Sequence, residues 1–407
     1  MLIRTNEVDA LIVNLKPDLL ITQEWSFISE QINCVFLCNN EIQLDTWRKY
    51  ASSYSIFIKK DGIFLNRDIQ QALAHLNLPS FKVAYVVLDA SELKVAVRQE
   101  LGTILVTTNT SITKEYLGYL PDIIVYRVSD IIKAIEHKSG FFAEVLATKL
   151  SNDKLYSSSH FVLPLFADAV SLITCGRYFG KEHPNSEIHQ LSRRLLRSKD
   201  DDTQNHILVD ILSYELKWIE QNLGTVDGVT RVPARPNNPD RLGKVVASSS
   251  DATKIPNYND CLICVEDFPK QKNFKTLDER TLNVKGKFKV NSVINYKHIV
   301  IVDDIYTTGA TLRECYSELR NHGASKVTAI VFAVNQLSPI FTNKEPINCS
   351  NCKSDLKLRL RKDGTAMFFG CNGFPDCTYA IDFEEGWNKF NEINQIKVDM
   401  QDFDIRF

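Results

Sequence analysis

Residues 299–311 read IVIVDDIYTTGAT: an apolar run closed by two adjacent carboxylates, then a short loop bearing Thr and Gly, followed by the helix-forming stretch ATLRECYSELRNHG. An unbroken run of β-branched residues is what a strand buried on both faces requires. Where such a strand turns tightly into a helix, the first N–H groups of the helix lack internal partners, and its dipole adds partial positive charge. Anions bind there. Gly309 lets the backbone approach closely, and Thr307, Thr308 and Thr311 add hydroxyl donors. Asp303 and Asp304 would repel the same anion. They make sense as acceptors for two vicinal hydroxyls, directly or through a divalent cation, so the segment reads as a sugar-phosphate site.

The segment resembles the signature of type I phosphoribosyltransferases. VTRVPARPNNPDRLGK at 229–244 sets a strand before a loop rich in Pro and Arg, and DERTLNVKGKF at 278–288 supplies Arg280 and Gly286. Both stretches resemble the ComF-type branch of that family, which is associated with DNA uptake. The resemblance implies a ligand, phosphoribosyl pyrophosphate or a related nucleotide, taken with Mg2+. Asp303 and Asp304 would then hold the ribose hydroxyls, and Tyr306, Thr307, Thr308, Gly309, Ala310 and Thr311 would form the 5-phosphate loop. The turn Pro233, Ala234, Arg235 would meet the pyrophosphate, with Arg241 and Lys244 as further cations. Catalysis would rest on Asp303, Asp304, Arg235 and Arg280. The acceptor is not named by the resemblance, and a non-catalytic nucleotide sensor is the alternative reading.

Four of the ten Cys fall between Cys349 and Cys377, as Cys349-x2-Cys352, eighteen residues, then Cys371-x5-Cys377. Four thiolates in paired knuckles fit tetrahedral zinc, and the intervening LKLRLRKDGTAMFFG fits a β-hairpin turning at KDG. The other six Cys sit mostly in apolar runs, where a small buried thiol is expected. GCNGFPDC after a CxxC and a basic hairpin resembles the C-terminal C4 ribbons of bacterial type IA topoisomerases. That resemblance implies contact with single-stranded DNA or RNA through Lys357, Arg359, Arg361, Lys362, Phe369 and Phe374. A ribbon that docks a protein partner is the alternative.

The remainder orders the chain as an α/β protein. Residues 1–140 alternate apolar runs (ALIVNL, CVFLC, VAYVVL, TILVTT) with helix-like stretches, which predicts a Rossmann-like domain with a parallel sheet. Its VDALIVNLKPDLL and VAYVVLDASELK resemble haloacid dehalogenase-like proteins, with Asn14 and Lys16 where that family carries catalytic carboxylates, so a degenerate, non-catalytic domain is expected. Residues 141–225 space their apolar positions as helices and read as a helical connector. The phosphoribosyltransferase-like domain follows at 226–338, the ribbon at 346–383 and an acidic tail at 384–407. With 48 Lys and Arg against 50 Asp and Glu, the formal net charge of −2 excludes a global field for nucleic acid, so any such contact must be local. No apolar run has the length of a membrane span, so a cytoplasmic protein is expected, and a homo-oligomer is compatible with the reading.

Overall fold

The computed structural model describes residues 8–15, 23–60, 65–78, 80–107, 112–137, 144–146, 161–164, 171–181, 183, 185–186, 188–199, 201–274, 276–337, 345–361, 367–386, 388–390 and 392–393. The first unit alternates strands and helices: β1 (Ala10–Asn14), α1 (Glu24–Gln31), β2 (Asn33–Cys38), α2 (Glu41–Trp47), β3 (Ile56–Lys59) and α3 (Leu65–Leu76). It continues with β4 (Val83–Val87), α4 (Ala90–Arg98), β5 (Gly102–Val106), β6 (Ile123–Val125) and α5 (Ile131–His137). The strands form one parallel sheet in the order β3-β2-β1-β4-β5-β6, a doubly wound arrangement. Ile12, Leu37 and Tyr85 share a core with Ile69 and Ala72 of α3 and Leu93 and Ala96 of α4. Leu11, Phe36 and Val86 instead share one with Trp25 of α1, Trp47 of α2 and Ile131 of α5. Strands covered on both faces must be apolar throughout, and β1 and β4 are buried at every position.

The second sheet is built from β7 (Phe161–Pro164), β8 (Ser171–Thr174), β9 (Arg177–Tyr178), β10 (Gly228–Arg231), β13 (His298–Tyr306) and β14 (Lys326–Asn335). Its order is β10-β13-β14-β8-β7, with β9 also on β14 and only β7 antiparallel to its neighbour. Between them lie α6 (Gln190–Arg197), α7 (Asn205–Leu223), α8 (Arg241–Thr253) and α9 (Leu277–Val284), together with the antiparallel pair β11 (Leu262–Cys264) and β12 (Phe288–Val290). The helix α10 (Ala310–Asn321) follows β13 directly. Val300, Val302 and Phe332 share a core with Leu212 of α7 and Val246 of α8, while Ile299, Ile301 and Val331 share one with Leu312, Cys315 and Leu319 of α10. A smaller three-stranded sheet, β15 (Leu356–Leu360), β16 (Met367–Cys371) and β17 (Ala380–Asp382), closes the described chain.

One expectation is corrected here. The segment HFVLPLFADAVSLITCGRYFG is not part of a helical connector, because it supplies β7, β8 and β9 to the same sheet as the 299–311 strand. Short buried strands and buried helices share an all-apolar composition, so spacing alone does not separate them, and the parallel partner of β8 lies more than 150 residues away in β14. Helices α6 and α7 of that region flank the charged RSKDDDTQN.

The two units share one hydrophobic cluster, which includes Leu117, Tyr119 and Leu120 of the first and Leu172 and Val334 of the second, and polar contacts join them as well. The backbone N–H of Leu120 donates to Gln336 Oε1 at 2.9 Å, Gln336 Nε2 donates to the Leu117 carbonyl at 3.1 Å, and Leu337 N–H donates to the Gly118 carbonyl at 3.0 Å. Below them Arg177, 3% exposed, pairs with Asp122 and, at 2.7 Å, with Glu144; His189 Nε2 lies 2.8 Å from the same Glu144. Burial alone would raise the pKa of Glu144, but His189 and Arg177 outweigh it and bring the pKa down to about 2. Removing one member of such a network strands buried charge. Arg177→Met should therefore cost about 3–5 kcal/mol in chemical denaturation, with the loss seen in both units.

Candidate functional site

The parallel strands β10, β13 and β14 end at one edge of the sheet, and the loops leaving that edge form the candidate site. β13 stays buried through Val302 and becomes half-buried at Asp303 and Asp304. Gly309 is the N-cap of α10 with φ 74°, a left-handed conformation that suits glycine; an added Cβ would also lie 2.5 Å from the Tyr306 ring. Tyr306 is therefore a floor beneath the loop. It is 3% exposed, and its hydroxyl has no partner among the described residues. Thr307 is exposed and Thr308 and Thr311 are half-buried, whereas Ala310 is buried in the first turn of α10.

The flanking loop from β10 is shaped by a clamp that the sequence does not advertise. Arg231 donates from Nε and Nη2 to Asp240 Oδ2 at 2.8 and 2.6 Å, and its Nη1 donates to the carbonyls of Asn259 and Leu262. Asp240 also caps α8 by accepting from Gly243 N–H at 2.9 Å. Held at both ends, residues 232–239 keep Pro233, Ala234 and Arg235 beside β13, since Val232 N–H donates to the Val302 carbonyl at 2.8 Å. Arg235 lies over the Phe268 ring and donates to the Phe268 carbonyl at 2.7 Å and to Asp267 at 3.2 Å.

Of the other expected cations, Arg280 reaches the phosphate loop from α9: its Nη1 donates to Thr307 Oγ1 at 3.1 Å, and neighbouring Gln271 donates to Thr311 Oγ1 at 3.3 Å. Arg241 Nη2 pairs instead with Asp304 Oδ2 at 2.8 Å, and its Nη1 donates to Ser198 Oγ. Lys244 is exposed and pairs with Asp202 at 2.6 Å. Three residues outside the sequence expectations also border the acids. Ser198 holds Arg241; Lys199 acts through its charge on Asp303; Tyr178 has its pKa raised by burial and then by Asp304. All three come from the segment expected to be a connector. Asp303 is pushed up to about 8, first by burial and then by the adjacent Asp304, which favours its protonated form.

The second site is the cysteine cluster. The Sγ atoms of Cys349, Cys352, Cys371 and Cys377 all lie within 4.8 Å of one another, with Cys349 and Cys377 3.6 Å apart and Cys352 and Cys371 3.3 Å apart. Tetrahedral zinc with Zn–S bonds of about 2.3 Å needs sulfurs about 3.8 Å apart, so the residues fit that ion. Gly373 N–H donates to Cys371 Sγ at 3.3 Å, the kind of supporting bond that stabilises a thiolate ligand. Around the cluster, Lys357 and Arg361 are exposed and Phe374 is 65% exposed. Phe369 faces the other way. It is buried and stacked on Phe383, which makes it a core residue and corrects its assignment to a contact surface. Arg359 is half-buried, donating to the Cys371 carbonyl at 3.4 Å, and Lys362 lies outside the described residues.

Two families match parts of the chain, with ranges that overlap at residues 347–359. The family "Phosphoribosyl transferase domain" matches residues 269–359, and "Topoisomerase DNA binding C4 zinc finger" matches residues 347–386. The chain thus contains a phosphoribosyl transferase domain and a C4 zinc-binding ribbon. Among curated proteins it is similar to a transcriptional regulator, GfcR, of Methanocaldococcus jannaschii, at 33% identity over 67 residues, 16% of this chain and 32% of that protein. It is also similar to ribose-phosphate pyrophosphokinase 4 of Oryza sativa subsp. japonica, at 57% identity over 35 residues, 9% of this chain and 11% of that protein. The chain thus spans about a third or less of the curated relatives it matches. Among solved structures, purine phosphoribosyltransferase from Pyrococcus horikoshii Ot3 shares 15% identity over 39% of this chain and 95% of its own, with a TM-score of 0.22. Glutamine phosphoribosylpyrophosphate amidotransferase from B. subtilis shares 24% identity over 29% of this chain and 25% of its own, with a TM-score of 0.21. Overlays at those scores are too loose to build on.

The closed thiolate set predicts one zinc per chain by metal analysis. Cys371→Ser should release the metal and unfold the ribbon while the two larger units keep their melting transition, because zinc supplies most of the stability of so small a module.

Proposed function

We propose that the chain binds phosphoribosyl pyrophosphate, or a nucleotide sharing its ribose 5-phosphate, at the edge where β10, β13 and β14 end. One observation carries this reading: Asp303 and Asp304 emerge from β13 directly before the loop Thr307–Thr311, whose helix N-terminus and Arg280 face the same few residues. In this reading Thr307, Thr308, Gly309 and Thr311 receive the 5-phosphate, the two carboxylates take the ribose hydroxyls, and the turn at Pro233, Ala234 and Arg235 faces the pyrophosphate. Mg2+ bound with the ligand would supply positive charge to a pyrophosphate leaving group, and Asp303 and Asp304 are the residues suited to hold it. If the chain catalyses transfer, Arg235 on the loop after β10 and Arg280 on α9 are the cations that would flank the reacting carbon. The named function of the M. jannaschii relative, a transcriptional regulator, favours a second reading in which the same ligand is sensed and not turned over.

The ribbon gives this activity an address. Lys357, Arg361 and Phe374 are exposed, and basic and aromatic side chains of this kind suit the backbone and bases of a single strand. A labelled single-stranded oligonucleotide should bind with modest affinity that falls steeply with salt, and deletion of residues 345–407 should abolish it. Fluorescence anisotropy at low salt reads this directly; absence of binding moves the ribbon to a protein-docking role.

Phosphoribosyl pyrophosphate with Mg2+ should raise the melting temperature, and Asp303→Asn combined with Asp304→Asn should erase the rise. Pyrophosphate release with candidate acceptors separates transfer from sensing. Because the ligand engages the ionised carboxylate while free Asp303 titrates near pH 8, affinity should strengthen as pH rises from about 6.5 and level off above about 8. Asp303→Asn should flatten that profile in calorimetry.

A further inference from the structure

We propose that Arg241 is a latch on the ribose-binding acid, closed in the free protein and displaced when the sugar phosphate binds. The inference rests on the sugar-phosphate reading above and assigns Arg241 a role opposite to that of a pyrophosphate donor. Each oxygen of Asp304 already accepts one bond: Oδ2 from Arg241 Nη2 at 2.8 Å, and Oδ1 from Ile305 N–H at 2.7 Å. The ion pair is well shielded, with the two side chains 13% and 28% exposed. A divalent cation arriving at Asp304 meets the charge of this guanidinium, and a ribose hydroxyl meets a carboxylate already held on one side by it.

The placement of Arg241 is otherwise unfavourable. It is the first residue of α8, where the helix dipole disfavours a cation, so its position calls for outside partners. Asp304 provides one and Ser198 the other. Ser198 is a rigid anchor. It is 1% exposed, it terminates α6, and its Oγ donates to the Leu195 carbonyl at 2.9 Å. The opposite end of α6 is fixed as well, because His189 caps it by accepting from Ser192 N–H at 3.2 Å and lies 2.8 Å from Glu144 in the buried network with Arg177 and Asp122. The guanidinium is thus suspended between a fixed hydroxyl and the acid that the ligand needs. The acid that Arg241 reaches is Asp304, beyond Val300 and Val302, which pack with α8.

The test is calorimetric titration of the full chain with phosphoribosyl pyrophosphate over a series of Mg2+ concentrations, comparing the parent with Arg241→Met and Ser198→Ala. Methionine keeps the length of the side chain and removes its charge. Arg241→Met should bind about tenfold more tightly and reach half-saturation at lower Mg2+, as expected when one charge-assisted bond no longer has to be broken. Ser198→Ala, which touches neither acid nor ligand, should shift affinity in the same direction by about two- to threefold, and it carries the test alone if Arg241→Met does not fold. Binding by Arg241→Met that is unchanged or weaker, with the parent still binding, overturns the latch and leaves the sugar-phosphate reading standing. Weaker binding would restore Arg241 as a pyrophosphate donor. If no protein in the series binds at saturating ligand and Mg2+, the sugar-phosphate reading itself falls, and the latch with it.

Discussion

Pairing of β13 along both its edges, with β10 on one side and β14 on the other, is the constraint from which the site follows. Held that way as far as Val302, where the pairing with β10 stops, the strand sends successive residues to opposite faces of the sheet. Val300 and Val302 pack with α7 and α8, Ile299 and Ile301 pack with α10, and the next two positions are Asp304 and Asp303 respectively. The carboxylates therefore leave the same strand on opposite faces. Asp304 meets Arg241 of α8, while Asp303 acts by charge on Cys315 of α10 and feels Arg241 and Lys199 only through their charge among the described residues. The difference in their electrostatics is a consequence of strand geometry before it is a matter of chemistry.

That arrangement costs stability. A carboxyl group half-withdrawn from water beside a second carboxylate is shifted toward its protonated form, and nothing in the packing of β13 requires an acid there. Positions that weaken the fold without a packing reason are where a ligand is expected to supply the missing interaction. The same logic holds at Gly309, where only a residue without a side chain can sit above the Tyr306 ring, at the start of α10.

Much of this was legible in the residues themselves, and the failures have definite causes. IVIVDDIYTTGAT carried its strand, loop and helix in contiguous residues, so β13, Gly309 and α10 fell where local pattern placed them. Four clustered Cys fixed the metal site, because ligand spacing is also a local signal. Strands β7, β8 and β9 were missed because parallel pairing with β14 joins distant segments and leaves no mark on local periodicity. With them went Ser198, Lys199 and Tyr178, which are ordinary residues until tertiary structure brings them to the acids. Phe369 was misplaced for another reason: MFFGC offers two adjacent aromatics, and alternation sends one inward without saying which. Arg241 was expected on the site and is there, but on the carboxylate and not among the free cations of the loop.

The central claim is that a ribose 5-phosphate ligand engages Asp303 and Asp304 as carboxylates. Counting protons tests it most directly. Calorimetric titrations with phosphoribosyl pyrophosphate and Mg2+ at neutral pH, run in two buffers of different ionisation enthalpy, should show close to one proton released per ligand bound by the parent chain and none by Asp303→Asn. Binding without proton release, or equal release by the variant, would contradict the account.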